Sequence, residues 1–139
     1  MDEMRPLWEF HYKEIALYDF PIAPMLNVYQ ASEIGNVLRI FTARDEEKLV
    51  GYEFFFVHLH PHFSYLFANQ DALYLAPKMR RGFAGYKFLR FVDEELKTEK
   101  VKAIFRRVTA RFNYGVLLER MGYEESERVF SRRILWEPQ

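Results

Sequence analysis

The hydrophobic pattern divides the chain into alternating periods. From Leu7 to Tyr18 one helical sector takes Leu7, Phe10, His11, Glu14, Ile15 and Tyr18, and "DFPIAP" predicts where it breaks. A second short helix is predicted over Met25–Ile34, closed by Gly35 and Asn36. The period then shortens. "VLRIFTAR", a polar "DEEK" and "LVGYEFFFVHL" predict an antiparallel hairpin rich in β-branched and aromatic residues. "HPHFSYLF" reads as a bend and "QDALYLAP" as a third strand halted by Pro77. Past Pro77, Phe88, Leu89, Val92 and Leu96 recur three or four apart, while Lys87, Arg90, Asp93, Glu94 and Lys97 fill the opposite face, predicting the principal helix over Phe83–Lys97. "VKAIFRRVT" reads as a fourth, central strand. "NYGVLLERMG" reads as a short helix that Asn113 caps and Gly122 ends, and "ERVFSRRILW" as a last strand. This order predicts an α/β (α+β) fold built on a mostly antiparallel sheet, with no repeat or linker.

Composition narrows the chemistry. A length of 139 residues suits one domain over 1–139, and 14 Phe, 9 Tyr and 2 Trp suit a sheet packed against helices. Twenty basic and twenty acidic residues cancel, so no bulk field draws the chain to nucleic acid or anionic lipid, and any anion site must be local. The absence of cysteine excludes disulfides, thiolate metal sites and a cysteine nucleophile, and fits a reducing cytoplasm. The N-terminus lacks a basic n-region with a continuous apolar core, and no apolar run approaches the roughly 20 residues of a membrane span. A soluble protein without membrane or nucleic-acid partners is expected.

The stretch "RRGFAGYKF" fits two chemistries. As a base-stacking RNA strand it matches Arg81, Gly82, Phe83, Ala84 and, at the far end, Phe88. It fails at the position after Ala84, where a ring is needed and Gly85 stands, and the run continues at a helical period. As a phosphate-binding turn it supplies a strand ending in Pro, "ALYLAP", a compact turn, "KMRRGFAG", and a helix start, "YKFLRFVDEEL", with Arg80 and Arg81 adding charge beside the amides.

These residues resemble the acetyl-CoA signature of the GNAT superfamily of N-acetyltransferases, a strand l-x-V-x-P followed by x-x-[Q/R]-x-x-G-x-[G/A]. Leu73, Leu75 and Pro77 match the strand, Arg80 the Q/R position and Gly85 the final glycine, while Phe83 takes the place of the middle glycine beside Gly82. Downstream, "YGVLLERMGYE" is similar to the family's a-x-x-L-Y-x-K-x-G-F motif, and its variant looks like small single-domain members encoded by bacteriophages. The resemblance implies a GNAT-type sheet with the CoA-binding helix after a central strand, and transfer of an acetyl group from acetyl-CoA to a small-molecule or protein amine in the cytoplasm, the host's if phage-encoded. It implies cofactor contacts at Leu73, Tyr74 and Leu75 on the strand and at Arg80, Arg81, Gly82, Phe83, Ala84, Gly85 and Tyr86 in the turn.

The usual tyrosine acid falls on Leu118, which cannot donate a proton, and the usual asparagine falls on Arg111, two residues before Asn113. The acid's role falls to water, to another tyrosine, with Tyr114 the candidate, or to no group; Asp71, directly or through water, is the candidate base, beside Asn69 early in the same strand, with Glu53 a weaker base. The alternative is a catalytically impaired GNAT-fold binding or virion-associated protein. His58, His60 and His62 are expected to line a loop or polar surface rather than to hold a metal, because Pro61 bends the chain between them and no further ligand is near. "RRV" and "SRRI" are expected on solvated faces. Exposed sheet edges are compatible with a homodimer.

Overall fold

The computed structural model describes residues 2–15, 24–110 and 113–134. After a 3-10 turn at Asp2–Met4 come α1 (Arg5–Ile15) and α2 (Leu26–Ile34), then strands β1 (Leu38–Asp45), β2 (Lys48–Leu59) and β3 (Leu66–Leu75). A 3-10 turn at Pro77–Arg80 leads into α3 (Ala84–Thr98), followed by β4 (Ala103–Phe105) and α4 (Gly115–Arg120). The 4-stranded sheet runs β1-β2-β3-β4, antiparallel except for the β3–β4 pair.

The near-continuous apolar run of β2 follows from burial on both faces. Tyr52 and Phe54 pack with Met4, Trp8, Leu38 and Tyr74 on the side of α1 and α2. Phe55 and Val57 pack with Ala68, Phe88, Leu89, Val92, Leu96 and Leu118 on the side of α3 and α4. Fully burying each large apolar side chain contributes roughly 1.5–3 kcal/mol, so β2 is the strand that joins the two cores. The predicted hairpin forms with a two-residue turn, and both residues, Glu46 and Glu47, sit at positive φ of 50° and 74°. That geometry usually calls for Asn or Gly. Among the described residues no helix is long and apolar enough to cross a membrane.

Three expectations change. The bend after His60 is shorter than predicted: the His60 amide bonds Tyr65 O at 2.8 Å, and β3 already pairs from Leu66 against Leu59. Among the described residues the predicted fourth strand keeps only Ala103–Phe105, with an isolated bridge at Thr109, and lies at one end of the sheet order; at Arg107 the main-chain amide bonds the Gln70 side chain instead of continuing the ladder. Residues 127–134 form no strand, and Val129, Phe130 and Ile134 lie exposed; β-propensity alone does not make a strand. Leu135 and Trp136, like the predicted end of the first helix at Tyr18 and most of "DFPIAP", fall outside the described residues.

Candidate functional site

The turn before α3 is built from main chain. Gly82 sits at φ +67°, and a Cβ there would meet nothing within 4 Å, so the glycine is required by its backbone conformation rather than by space. Phe83 is the N-cap residue; no side chain caps α3 and its first turn holds no acidic residue. The first bond of the helix runs from the Lys87 amide to Phe83 O at 2.9 Å, which leaves Ala84, Gly85 and Tyr86 to present the amides that a helix start cannot satisfy internally. Gly85 faces Leu75 Cδ1 and Met79 O at 3.4 and 3.5 Å from its would-be Cβ. Arg81 and Phe83 are exposed, and the Tyr86 hydroxyl accepts from Arg90 at 2.7 Å.

Arg80 differs from its sequence expectation. Its guanidinium turns away from the amides, donating to Leu75 O at 2.7 Å and to Glu14 at 2.9 Å while lying over the Tyr74 ring. Its charge is answered by α1, so the exposed positive charge of the turn rests with Arg81.

Beside this turn the sheet splays. The parallel pairs of β3 with β4 run from Phe67↔Ala103 to Asn69↔Phe105 and stop. Beyond them Ala72–Leu75 has β2 on one side and, among the described residues, no strand on the other. Asp71 is the extra residue of a bulge, since Phe54 pairs with Ala72 and Phe55 with Gln70. The bulge sets Asp71 and Ala72 in succession on the α1/α2 side, while Gln70 before them faces α3. Asp71 Oδ2 accepts from the Tyr29 hydroxyl of α2 at 2.6 Å. Gln70 turns to the α3 side, where Nε2 donates to Glu53 Oε2 at 2.8 Å and to the Tyr114 hydroxyl oxygen at 3.1 Å.

Below Gln70 lies a buried ionic cluster. Arg106 and Glu53 are fully buried and joined by two bonds of 2.9 Å, Nε to Oε2 and Nη2 to Oε1. Arg106 Nη1 also donates to Asp93 Oδ1 at 2.5 Å and to the Tyr123 hydroxyl at 2.6 Å, and that hydroxyl donates to Asp93 at 2.8 Å. This corrects two expectations: Arg106 is not on a solvated face, and Glu53 is a paired anion with both oxygens on one guanidinium, not a base. A lone Glu in "GYEFFFV" and an Arg sharing a strand face with Ile104 were the signals available in the letters.

The comparisons bear on this arrangement. An aminoglycoside acetyltransferase from an uncultured soil metagenomic sample superimposes with a TM-score of 0.70, covering 99% of this chain and 88% of that one at 16% identity. A ribosomal-protein-alanine N-acetyltransferase from Brucella melitensis gives 0.70, with 96% and 92% covered at 13% identity. A transcriptional regulator from Bacillus halodurans gives 0.74, with 96% and 94% covered at 12% identity. The fold is that of the GNAT acetyltransferases. No protein-family model matches the sequence, and no curated protein matches it. At these identities the likeness carries the fold and not the reaction.

Within this GNAT fold the predicted site residues separate. Leu73 and Leu75 pack on the α3 side, while Tyr74 is buried on the α1 side against His11 and Tyr52, so of Tyr74 only the main chain faces the splay. Tyr114 precedes α4, and its hydroxyl donates to Arg107 O at 3.2 Å; burial raises its pKa to about 12, although the Gln70 bond draws it down. Gly122 ends α4 at φ +97° as predicted, but the N-cap is Tyr114 and no side chain caps the helix; Asn113, one residue earlier, accepts only the Gly115 amide on Oδ1 at 2.8 Å. Leu118 is 6% exposed in the α3-side core, where it fills space instead of facing a cleft. Arg111 lies outside the described residues.

On the opposite face, His11 Nδ1 is 3.0 Å from the Tyr52 hydroxyl, and burial lowers its pKa to about 4, which leaves the ring neutral near pH 7. His60 Nδ1 accepts the His62 amide at 3.1 Å, and among the described residues no three His, Asp or Glu converge as metal ligands.

Proposed function

We propose that this chain is an acetyl-CoA-dependent N-acetyltransferase. The observation that carries the reading is one juxtaposition: the uncapped first turn of α3 lies at the end of a strand edge, Ala72–Leu75, that among the described residues has no neighbouring strand beyond the β3–β4 pairs. A helix start with a left-handed glycine before it suits a diphosphate, and an open strand edge suits an extended amide-bearing chain. The residues present fit the cofactor. Main-chain groups of Leu73, Tyr74 and Leu75 would hold its pantetheine arm, and the amides from Arg80 to Tyr86 (Arg80, Arg81, Gly82, Phe83, Ala84, Gly85, Tyr86) its diphosphate. Acetyl-CoA supplies the acyl group as an activated thioester.

The chain's own side chains then divide two proton tasks across the sheet. Asp71, on the α1/α2 side, accepts the proton that the attacking amine loses, directly or through a water. Tyr114, on the α3/α4 side, would hold a hydroxyl proton for a bound thioester's sulfur; at a pKa of about 12 it is protonated at neutral pH. The acceptor is a small-molecule or a protein amine, the two kinds named for the neighbouring acetyltransferases, and the setting is cytoplasmic, with the phage-encoded subtype resting on the motif alone. Isothermal titration with acetyl-CoA, followed by thiol release against an amine panel, tests the reading: absence of binding at high micromolar ligand removes it.

Burial of Leu118 where the family carries its acid favours a second reading, a GNAT-fold protein that binds without turning over. Saturable acetyl-CoA binding with no transfer to any amine would select it.

A further inference from the structure

Where the β3–β4 ladder stops, one side chain takes over from the main chain. Gln70 engages every polar atom of its carboxamide: Nε2 donates to Glu53 Oε2 at 2.8 Å and to Tyr114 at 3.1 Å, and Oε1 accepts the Arg107 amide at 2.9 Å. Its main-chain carbonyl also accepts from Arg107 Nη1 at 3.1 Å. The orientation of that amide is dictated from below. Both Glu53 oxygens accept from Arg106, so this carboxylate meets Gln70 as an acceptor. Turning the carboxamide over would set its carbonyl against that anion. The NH2 group must therefore face Glu53, and its second proton falls to the Tyr114 oxygen. The proton of Tyr114 is left to Arg107 O at 3.2 Å. Hydrogen direction thus passes from Arg106 through Glu53 and Gln70 to one phenol.

We infer that Gln70 is a positioning residue for Tyr114: it fixes the hydroxyl at the end of the strand gap and, by donating to its oxygen, makes it the better proton donor. A donated hydrogen bond favours phenolate over phenol, which is the direction a proton donor needs. The catalytic consequence rests on the acetyl-transfer reading; the coupling of the two side chains does not. The sequence motif left position 118 without an acid, and this arrangement gives Tyr114 the support that such a role requires.

The experiment labels tyrosine with 13Cζ and identifies the Tyr114 resonance by its loss in Tyr114→Phe. At pH 7 the Tyr114 signal should shift in Gln70→Leu. In Gln70→Glu, whose new carboxyl faces Glu53, Arg106 and Tyr114, it should shift at pH 8, where an ionised carboxylate has no hydrogen to donate to the phenol. With a working acceptor, Gln70→Leu should lower kcat about tenfold or more while acetyl-CoA affinity holds within about twofold, and the same change in a Tyr114→Phe background should cost no more than about twofold. An unmoved Tyr114 resonance in both variants, or a full loss that persists in the Tyr114→Phe background, overturns the inference. If Gln70→Leu fails to fold, the isosteric Gln70→Glu carries the comparison. If wild type binds no acetyl-CoA, the acetyl-transfer reading falls, and the resonance still decides whether Gln70 governs Tyr114.

Discussion

The two faces of the sheet bury polar groups in opposite ways. On the α3 side the groups are ions, and Arg106 is matched to Glu53 and Asp93 with Tyr123 closing the cluster. On the α1 side the central buried pair is neutral, with the part-buried Arg80–Glu14 ion pair beside it: His11 and Tyr52 share a hydrogen bond, and burial pushes the imidazole down and the Tyr52 phenol up, each toward its uncharged form. The difference teaches what each face resists. An ion pair holds its geometry tightly but collapses when one partner is removed, whereas a neutral pair tolerates loss of a partner and is sensitive to protonation instead. The bulge at Asp71 stands between them, with Gln70 facing the ionic side and Asp71 the other.

The strongest way to break the contrast is Arg106→Met, which leaves Glu53 buried without its guanidinium. It should cost about 3–5 kcal/mol by urea unfolding, and a loss no larger than that of an ordinary surface change would mean that the cluster is not ionic in the folded state. On the other face, pH replaces mutation as the lever. The folded pKa of His11 is about 4, below its ordinary 6.5, so the unfolded chain takes up the proton first and stability falls as pH drops from about 6.5 to about 4. Across that window wild type should lose up to about 3 kcal/mol relative to His11→Gln. Parallel curves for the two proteins would show that the imidazole is not buried as described.

Smaller effects sharpen the picture at the turn. Gly82→Ala should cost about 1–2 kcal/mol through its positive φ, whereas Gly85→Ala, whose added Cβ meets only ordinary contacts, should leave the melting temperature unchanged or raise it by an amount worth less than about 1 kcal/mol. Weaker acetyl-CoA binding in both variants would separate ligand contact from fold stability, since only the first is destabilised. The smallest effect belongs to the β1–β2 turn, away from both faces. Relieving the left-handed strain at residue 47 with Glu47→Gly should stabilise the chain by up to about 1 kcal/mol without altering ligand binding, and an unchanged unfolding midpoint would count against the turn geometry.

Much of the scaffold was legible in the letters. The spacing of Phe88, Leu89, Val92 and Leu96 located α3 within a residue at each end, because a single buried stripe imposes its period on the sequence. The hairpin was equally plain, and so was the position of Gly82, since a strand, a glycine-bearing turn and a helix are contiguous. The last strand and most of the fourth were over-read. A strand is completed by a partner that its own residues do not encode, and among the described residues the β3–β4 ladder stops at Phe105 and 127–134 form no strand. The direction of Arg80, the burial of Arg106 and the role of Gln70 were not readable in the same way, because each depends on a group distant in sequence: Glu14, Glu53 and Tyr114 respectively.

The sequence by itself therefore determined periods, turns and the main-chain turn at the start of α3, all of which follow from steric and hydrophobic rules acting within about one turn or one hairpin of chain. Only the tertiary structure decided which charges are buried and paired, which face each side chain of the bulge serves, and where the β3–β4 ladder ends. Those outcomes are set by Coulomb and hydrogen-bond partners brought together across the fold, and local patterns carry no record of them.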